Sequence, residues 1–278
     1  MVDELDNDWT RAEILSALRS TIEAGRPIVG AGASAGIIAK AAELGGADLI
    51  IVYSTGRSRM MGLPTTPLGD SNAITQSMFR EIDNVVQRVP IIGGAEAADP
   101  TYSRMHRLVD SFRESGFHGI INFPSVGMNP TRAREREHIG QGFGREAQMI
   151  STARARDFFT MAYAWTDDQA RMLAAAGADV VVPHAGWTAG GREGRGADST
   201  FDRSAEHVQH LIDVIRTENP EAICLAHGGS IAEPTDTAAL YRLTDAQGFV
   251  GASSIERIPV ERAVQSTVEA FKAQKLRG

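Results

Sequence analysis

The chain has a single cysteine, Cys224, among 278 residues. One cysteine excludes an intrachain disulfide and suits a reducing compartment. Lying inside an apolar run, Cys224 reads as a small core hydrophobe. Long hydrophobic runs are also missing: none approaches the roughly 18 residues that suggest a membrane span. The opening Met1–Trp9 is acidic and polar, unlike a secretory signal. These features lead us to expect a cytoplasmic protein with no membrane partner. Positive charge is in deficit, with a net charge of −7. The arginines of Arg132–Arg136 alternate with glutamates, as on a solvated helix face. A nucleic-acid partner is therefore not expected. G-x-S-x-G, G-x-x-x-x-G-K-[ST] and H-E-x-x-H are all absent. Gly30-x-Gly32 followed by Gly36 has the wrong spacing for a dinucleotide fingerprint. No lysine stands at the end of an apolar run, which argues against a Schiff-base aldolase.

What is present is alternation. Eight short apolar runs are each followed by a helix-like stretch: Pro27–Ser34, Ala47–Gly56, Val89–Ala97, Phe117–Val126, Phe158–Trp165, Ala178–Gly186, Ala222–Gly229 and Gly248–Ser254. Strands alternating with helices imply parallel βαβ units. Eight units in this length predict one α/β domain over residues 1–278, a closed (β/α)8 TIM barrel. Residues 1–26 add an N-terminal helix expected to cap the barrel bottom. Asp8-Trp9-Thr10 opens it, and Ala12, Ile14, Leu15, Leu18 and Ile22 fall at helical spacing up to Gly25. Thr166-Asp167-Asp168-Gln169 reads as a capping box, and Asp70 as the cap of a helix to about Arg88. Pro259 suits the first turn of a last helix, Val260–Lys275, that closes the fold. Arg57–Gly69, Gly127–Arg156 and Trp187–Thr200 are long for barrel connections and read as lids. Gly140, Gly142 and Gly144 would break the fourth helix into an arm for another subunit.

Barrel chemistry sits at the C-terminal strand ends. His184 ends the sixth strand and His227 the seventh, so the two should be rim neighbours. Glu96, after the third strand, could reach the same cavity. The three are candidate catalytic groups, either as acid and base or as ligands of a divalent metal. Small residues at Gly228, Gly229, Ser253 and Ser254 let backbone N–H groups approach a phosphate or carboxylate. Arg257 follows and could clamp an anion or pair with Glu256 or Glu261. Tyr53-Ser54-Thr55-Gly56-Arg57-Ser58-Arg59 offers arginines beside hydroxyls, with Arg57 and Tyr53 as substrate contacts. Asn122 and Ser125 complete the candidate binding set. Tyr163 and Trp165 could wall the pocket.

Five segments together resemble the phosphoenolpyruvate hydrolase-like TIM-barrel family, also described as predicted signal-transduction barrels. They are Tyr53–Met60, Gly69–Ile74, Asn122–Gly127, His227-Gly228-Gly229 and Gly251–Arg257. The resemblance implies a complete barrel related to phosphoenolpyruvate mutase, and it implies self-association. A domain of this family also occurs in a plant antiviral resistance protein, so some members act by binding. Gly93–Pro100 departs from the family's A-G-V-C-x-T-D-P pattern: Glu96 replaces a cysteine while Asp99 is retained. The acidic metal-binding clusters of true phosphoenolpyruvate mutases are not evident. The expected function is a hydrolase cleaving a C–C or C–P bond of a small anionic oxo acid or dicarbonyl compound, in a homo-oligomer. The alternatives are an aldolase- or synthase-type lyase, or a non-catalytic small-molecule-binding regulatory barrel.

Overall fold

The protein's structure, a computed structural model, describes residues 7–192 and 200–277. The expected lid Trp187–Thr200 thus lies partly outside the described residues. The elements, in chain order, are α1 (Arg11–Glu23), β1 (Ile28–Gly32), α2 (Gly36–Leu44), β2 (Leu49–Val52), α3 (Ser54–Met60), α4 (Ser71–Asp83), β3 (Ile91–Gly94), α5 (Met105–Glu114), β4 (Gly119–Ile121), α6 (Pro130–Glu137), α7 (Gly144–Ala155), β5 (Phe159–Ala164), α8 (Asp167–Ala175), β6 (Val180–Pro183), α9 (Phe201–Glu218), β7 (Ile223–Cys224), α10 (Pro234–Leu243), β8 (Gly248–Gly251) and α11 (Arg257–Lys272). Among the described residues, no helix is long and apolar enough to cross a membrane.

The eight strands pair in parallel in the order β7-β6-β5-β4-β3-β2-β1-β8. The ring closes where Val250 N donates to the Ala226 carbonyl at 2.8 Å. This is a (β/α)8 barrel. The strands are apolar along their length because both faces are covered. Ile51, Ile92, Phe159, Met161, Val180 and Val182 fill the barrel interior. Ile50, Ile91, Ile120, Val181 and Cys224 point outward and pack under the helices.

α1 plugs the barrel bottom. Thr10 and Glu13 form a reciprocal capping box, and fully buried Ile14 and Leu18 join the interior cluster. Arg11 donates to Asp179 at 2.7 Å, and Asp179 also accepts from the Thr160 hydroxyl at 2.9 Å. α1 is thereby latched to β5 and the start of β6.

Four local expectations need correction. The connection from Arg57 is not all loop, because Ser54–Met60 forms α3 and turns Arg57 and Arg59 to different sides. Asp70 caps α4 as expected, yet that helix ends at Asp83 rather than near Arg88. The Thr166 hydroxyl accepts from Gln169 N, but the Gln169 side-chain Oε1 accepts from Trp165 N rather than from Thr166 N, so no capping box is completed. The last helix does not close the fold: beyond Ile258 it stands off the barrel wall. The fourth helix is divided, as its glycines suggest, into α6 and α7 with Gly140 at φ +67° between them.

Ile14→Ala tests the plug. It should lower stability by about 2–5 kcal/mol, seen as a lower urea midpoint at unchanged m value. An unchanged midpoint would show that α1 is not part of the cooperative unit.

Candidate functional site

The strand ends surround a cavity of about 100 Å³ at the barrel mouth. Tyr53 reaches it from the end of β2, Phe123 from β4, Tyr163 from β5, and His184 and His227 from the ends of β6 and β7. Ser253 follows β8. Arg59 on α3 and Arg257 on α11 complete the wall, with Trp187 and Thr188.

The two histidines are paired by the sheet itself, since His184 and His227 face each other in a parallel bridge. Their ring centroids are 4.5 Å apart. Backbone bonds give the rings opposite tasks. Gly186 N donates to His184 Nδ1 at 3.1 Å, so neutral His184 carries its proton on Nε2. His227 Nδ1 lies 2.6 Å from the Val250 carbonyl and donates to it, leaving Nε2 with a lone pair. Burial favours the neutral form of both rings. His184 is pushed well below the usual imidazole range by burial and then by His227. His227 is pushed down to about 4 by burial, with Arg59 adding to the effect. Trp165 stacks on His184 at 4.7 Å, and Tyr163 lies 5.1 Å from His227.

Tyr53 and Tyr163 share a hydrogen bond of 2.7 Å between their phenols. Burial pushes both phenols upward, so both keep their protons. One proton is spent within the pair and the other remains for a neighbour.

Arg59 and Glu256 form an ion pair at 2.7 Å, with side chains only 2% and 0% exposed. Ser34 also donates to Glu256. Gly56 permits this packing, because a Cβ there would sit 2.5 Å from the Ser34 side chain. Arg257 pairs with Glu261 at 2.9 Å and still lines the cavity. Both arginines thus offer donors whose charge is already balanced.

Several candidate residues lie elsewhere. Arg57 is exposed on α3, and Arg59 takes the place expected for it. Glu96 does not meet the histidines. It lines a separate cavity of about 530 Å³ with Ser125, Arg132 and Arg136. Burial raises the Glu96 carboxyl above the usual range, and Asp99 adds to the rise. Asn122 is wholly enclosed. It donates to Glu146 at 2.6 Å and accepts from Tyr163 N at 2.7 Å, so it holds strands together rather than substrate. The Ser125 hydroxyl donates to Glu146 at 2.7 Å. Gly229 N donates to the Gly186 carbonyl at 2.8 Å and is not available to an anion. Gly228, at φ +78°, is needed because a Cβ would strike that same carbonyl. Ser254 does not line the mouth cavity; its hydroxyl is buried without a hydrogen-bond partner. Of the predicted set, the mouth brings together Tyr53, His184, His227, Ser253 and Arg257.

Glu146 on α7 gave no motif in the sequence. Burial raises its carboxyl to about 7 against the opposing donors Ser125, Val126 N and Asn122. The signal that could have found it was the pair of polar side chains Asn122 and Ser125 at the end of an apolar run, which needed a buried acceptor.

The chain matches the model of the phosphoenolpyruvate hydrolase-like family over residues 13–274 and belongs to that family. It is 41% identical over 269 residues to the ToMV susceptible protein tm-1(GCR26) of Solanum lycopersicum, covering 95% of this chain and 36% of that protein. The chain therefore spans about a third of that relative's length. Among solved structures it is similar to phosphonopyruvate hydrolase in complex with oxalate and Mg++ (TM-score 0.61, 19% identity, covering 93% and 86% of the two chains). It is also similar to oxaloacetate acetylhydrolase in complex with oxalate (TM-score 0.63, 14% identity, covering 97% and 90%). At these identities the likeness is one of fold.

The phosphonopyruvate hydrolase structure raises the question of a divalent metal. Among the described residues, no group of three or more His, Cys, Asp or Glu could hold an ion. The expected set Glu96, His184 and His227 is divided between two cavities. Imidazoles, phenols and arginines at the mouth suit an anion, not a hard cation.

His227 provides a test through pH. The native state resists a proton that the unfolded chain accepts near the ordinary value of 6.5. The stability tied to neutral His227 is complete above about pH 6.5 and is lost as pH falls towards 4, about 3 kcal/mol in all. Wild type should therefore lose stability more steeply than H227Q across that window in urea titrations. Parallel curves would overturn the buried neutral imidazole.

Proposed function

We propose that the barrel mouth is the active site of a hydrolase that cleaves a C–C or C–P bond in a small anionic oxo acid. The observation that carries this reading is the histidine pair with opposite tautomers. His227 Nε2 keeps a lone pair and His184 Nε2 an N–H, on rings whose centroids are 4.5 Å apart, beside the hydrogen-bonded phenols of Tyr53 and Tyr163. A base next to fixed donors is what hydrolysis through an enolate requires.

In this reading the substrate carboxylate lies against Arg59 and Arg257. Its oxo oxygen accepts from His184 Nε2–H and the free phenol proton of the tyrosine pair. His227 Nε2 takes a proton from water, and the resulting hydroxide attacks the acyl carbon or the phosphorus. The bond to the oxo-acid fragment breaks, and its electrons pass to the oxo oxygen as an enolate. The His227 proton then returns to the enolate carbon. Every step uses groups of this chain, and none is routed through a metal.

Burial and Arg59 hold His227 at about 4. An anion about 4 Å away at an effective dielectric near 20 favours the imidazolium by about 4 kcal/mol, or roughly 3 pK units. Substrate binding would thus raise the His227 value towards about 7, near the working pH, where a base is most effective.

A second reading is a barrel that binds such a ligand without turning it over. It is kept because the 41% identical tomato relative is named for ToMV susceptibility and not for an enzyme activity. Product analysis in ¹⁸O water separates the two readings.

Oxalate, oxaloacetate and phosphonopyruvate should raise the melting temperature, and one of the oxo acids should be hydrolysed with ¹⁸O incorporated. His227→Gln should lower kcat by about 10²–10⁴-fold while keeping the oxalate shift. Calorimetry in buffers of different ionisation enthalpy should show proton uptake on oxalate binding. Full activity in H227Q would overturn the assignment of the base. Ligand shifts with no turnover of any compound would support the binding barrel instead.

A further inference from the structure

The cavity of Glu96 has no part in the proposed reaction. At about 530 Å³ it is far roomier than the mouth. Small-molecule pockets typically measure roughly 300–1,000 Å³. Consecutive residues divide the two spaces, since Phe123 lines the mouth and Pro124 the larger cavity.

One wall carries a carboxyl on a fixed mount. Asn72 accepts from Glu96 N at 2.9 Å and donates to the Glu96 carbonyl at 3.2 Å. Arg145 on α7 donates to the Ala97 carbonyl at 2.8 Å and to that of Tyr102 at 2.6 Å. The segment after β3 is therefore held on both sides of the half-buried Glu96 side chain. Burial and then Asp99 disfavour the charge on that carboxyl. A cation beside it would offset both.

The facing element, α6, carries cations. Arg132 and Arg136 stand four residues apart, hence on one side of the helix, and both line the cavity. Among the described residues neither guanidinium has a hydrogen-bond or ion-pair partner. Arg59, Arg145 and Arg257 on neighbouring elements are all bonded. A guanidinium without a partner can hold a carboxylate through two parallel bonds.

The balance of charge narrows the ligand. Glu135 also lines the cavity, so two acidic side chains answer the two arginines. An anion would meet Glu96, and an amine would meet the arginines. A molecule with an ammonium at one end and a carboxylate at the other meets its opposite on both elements. Pro124, Val126 and Met128, all half-buried, supply apolar surface beside them.

We propose that this cavity binds an α-amino acid with an apolar side chain, its ammonium on Glu96 and its carboxylate on Arg132 and Arg136. The site is separate from the mouth, and the inference does not rest on the proposed reaction.

Calorimetric titration of the full chain with L-leucine tests it, against isocaproate, which lacks the ammonium, and isopentylamine, which lacks the carboxylate. Leucine should bind, and each of the other two should bind about tenfold more weakly. E96Q should weaken leucine by a similar factor while strengthening isocaproate, because the opposing charge is gone. R132Q/R136Q should lose both leucine and isocaproate with unchanged far-ultraviolet circular dichroism. R134Q, on the same helix but not on the cavity, should bind leucine as wild type does. H227Q should also keep leucine binding, which separates this site from the mouth. No leucine binding in wild type would overturn the proposal. So would isocaproate binding as tightly as leucine, undiminished leucine binding in R132Q/R136Q, or its loss in H227Q.

Discussion

The buried pair Arg59–Glu256 is the constraint on which the barrel mouth depends. It joins α3 to the root of α11, and Ser34 joins it from the end of β1. Two charges taken out of water are stable there only together, and removing one partner of such a pair typically costs about 3–5 kcal/mol. Other features follow from it. Gly56 must lack a side chain so that α3 can approach Ser34. Arg59 must lie in the wall, since its carboxylate is there. Its charge in turn helps to keep His227 neutral. The pair is thus an element of folding that also sets the electrostatics of the cavity.

Balanced charge shapes what the cavity can hold. With Arg59 and Arg257 each paired to a glutamate, the mouth is rich in donors without strong net charge. Recognition there depends on hydrogen-bond geometry, which discriminates more sharply than a field does. The small volume adds a second filter. Together they favour a compact acid with several oxygens over a large phosphorylated ligand, which would need the free backbone donors that Gly229 does not offer.

The fold was legible because burial on both faces makes every strand an apolar run, and glycine or capping signals separate the runs from helices. The adjacency of His184 and His227 was legible for the same reason: consecutive parallel strands bring their ends together. The rest depended on features without local periodicity. Arg57 and Arg59 are two residues apart, and only the formation of α3 turns one out and the other in. Glu96 ends its strand as Tyr53 does, yet Asn72 holds its backbone from both sides, accepting from Glu96 N at 2.9 Å and donating to its carbonyl at 3.2 Å. It serves a different cavity. Asn122 looked like a substrate ligand because its partner, Glu146, is 24 residues away with no motif to mark it.

The rigidity of the mouth bears on where motion can reside. The loops after β6 and β7 cross so closely that Gly228 cannot carry a side chain, and Gly229 N bonds to Gly186 across the junction. Ala189 N bonds back to the Gly229 carbonyl at 2.9 Å. Both histidines sit at this crossing, the His184 ring fixed by Gly186 N two residues on and the His227 ring by the Val250 carbonyl of β8. On the proposed reading this makes the site preorganised, its donors and lone pair fixed by the fold itself. The β4 connection is built differently. Among its described side chains α6 buries only Ala133, and Arg132 and Arg136 stand over the wider cavity of Glu96. Fixed rings on one side of the rim and a lightly packed helix on the other mean that α6 can move without disturbing the histidines.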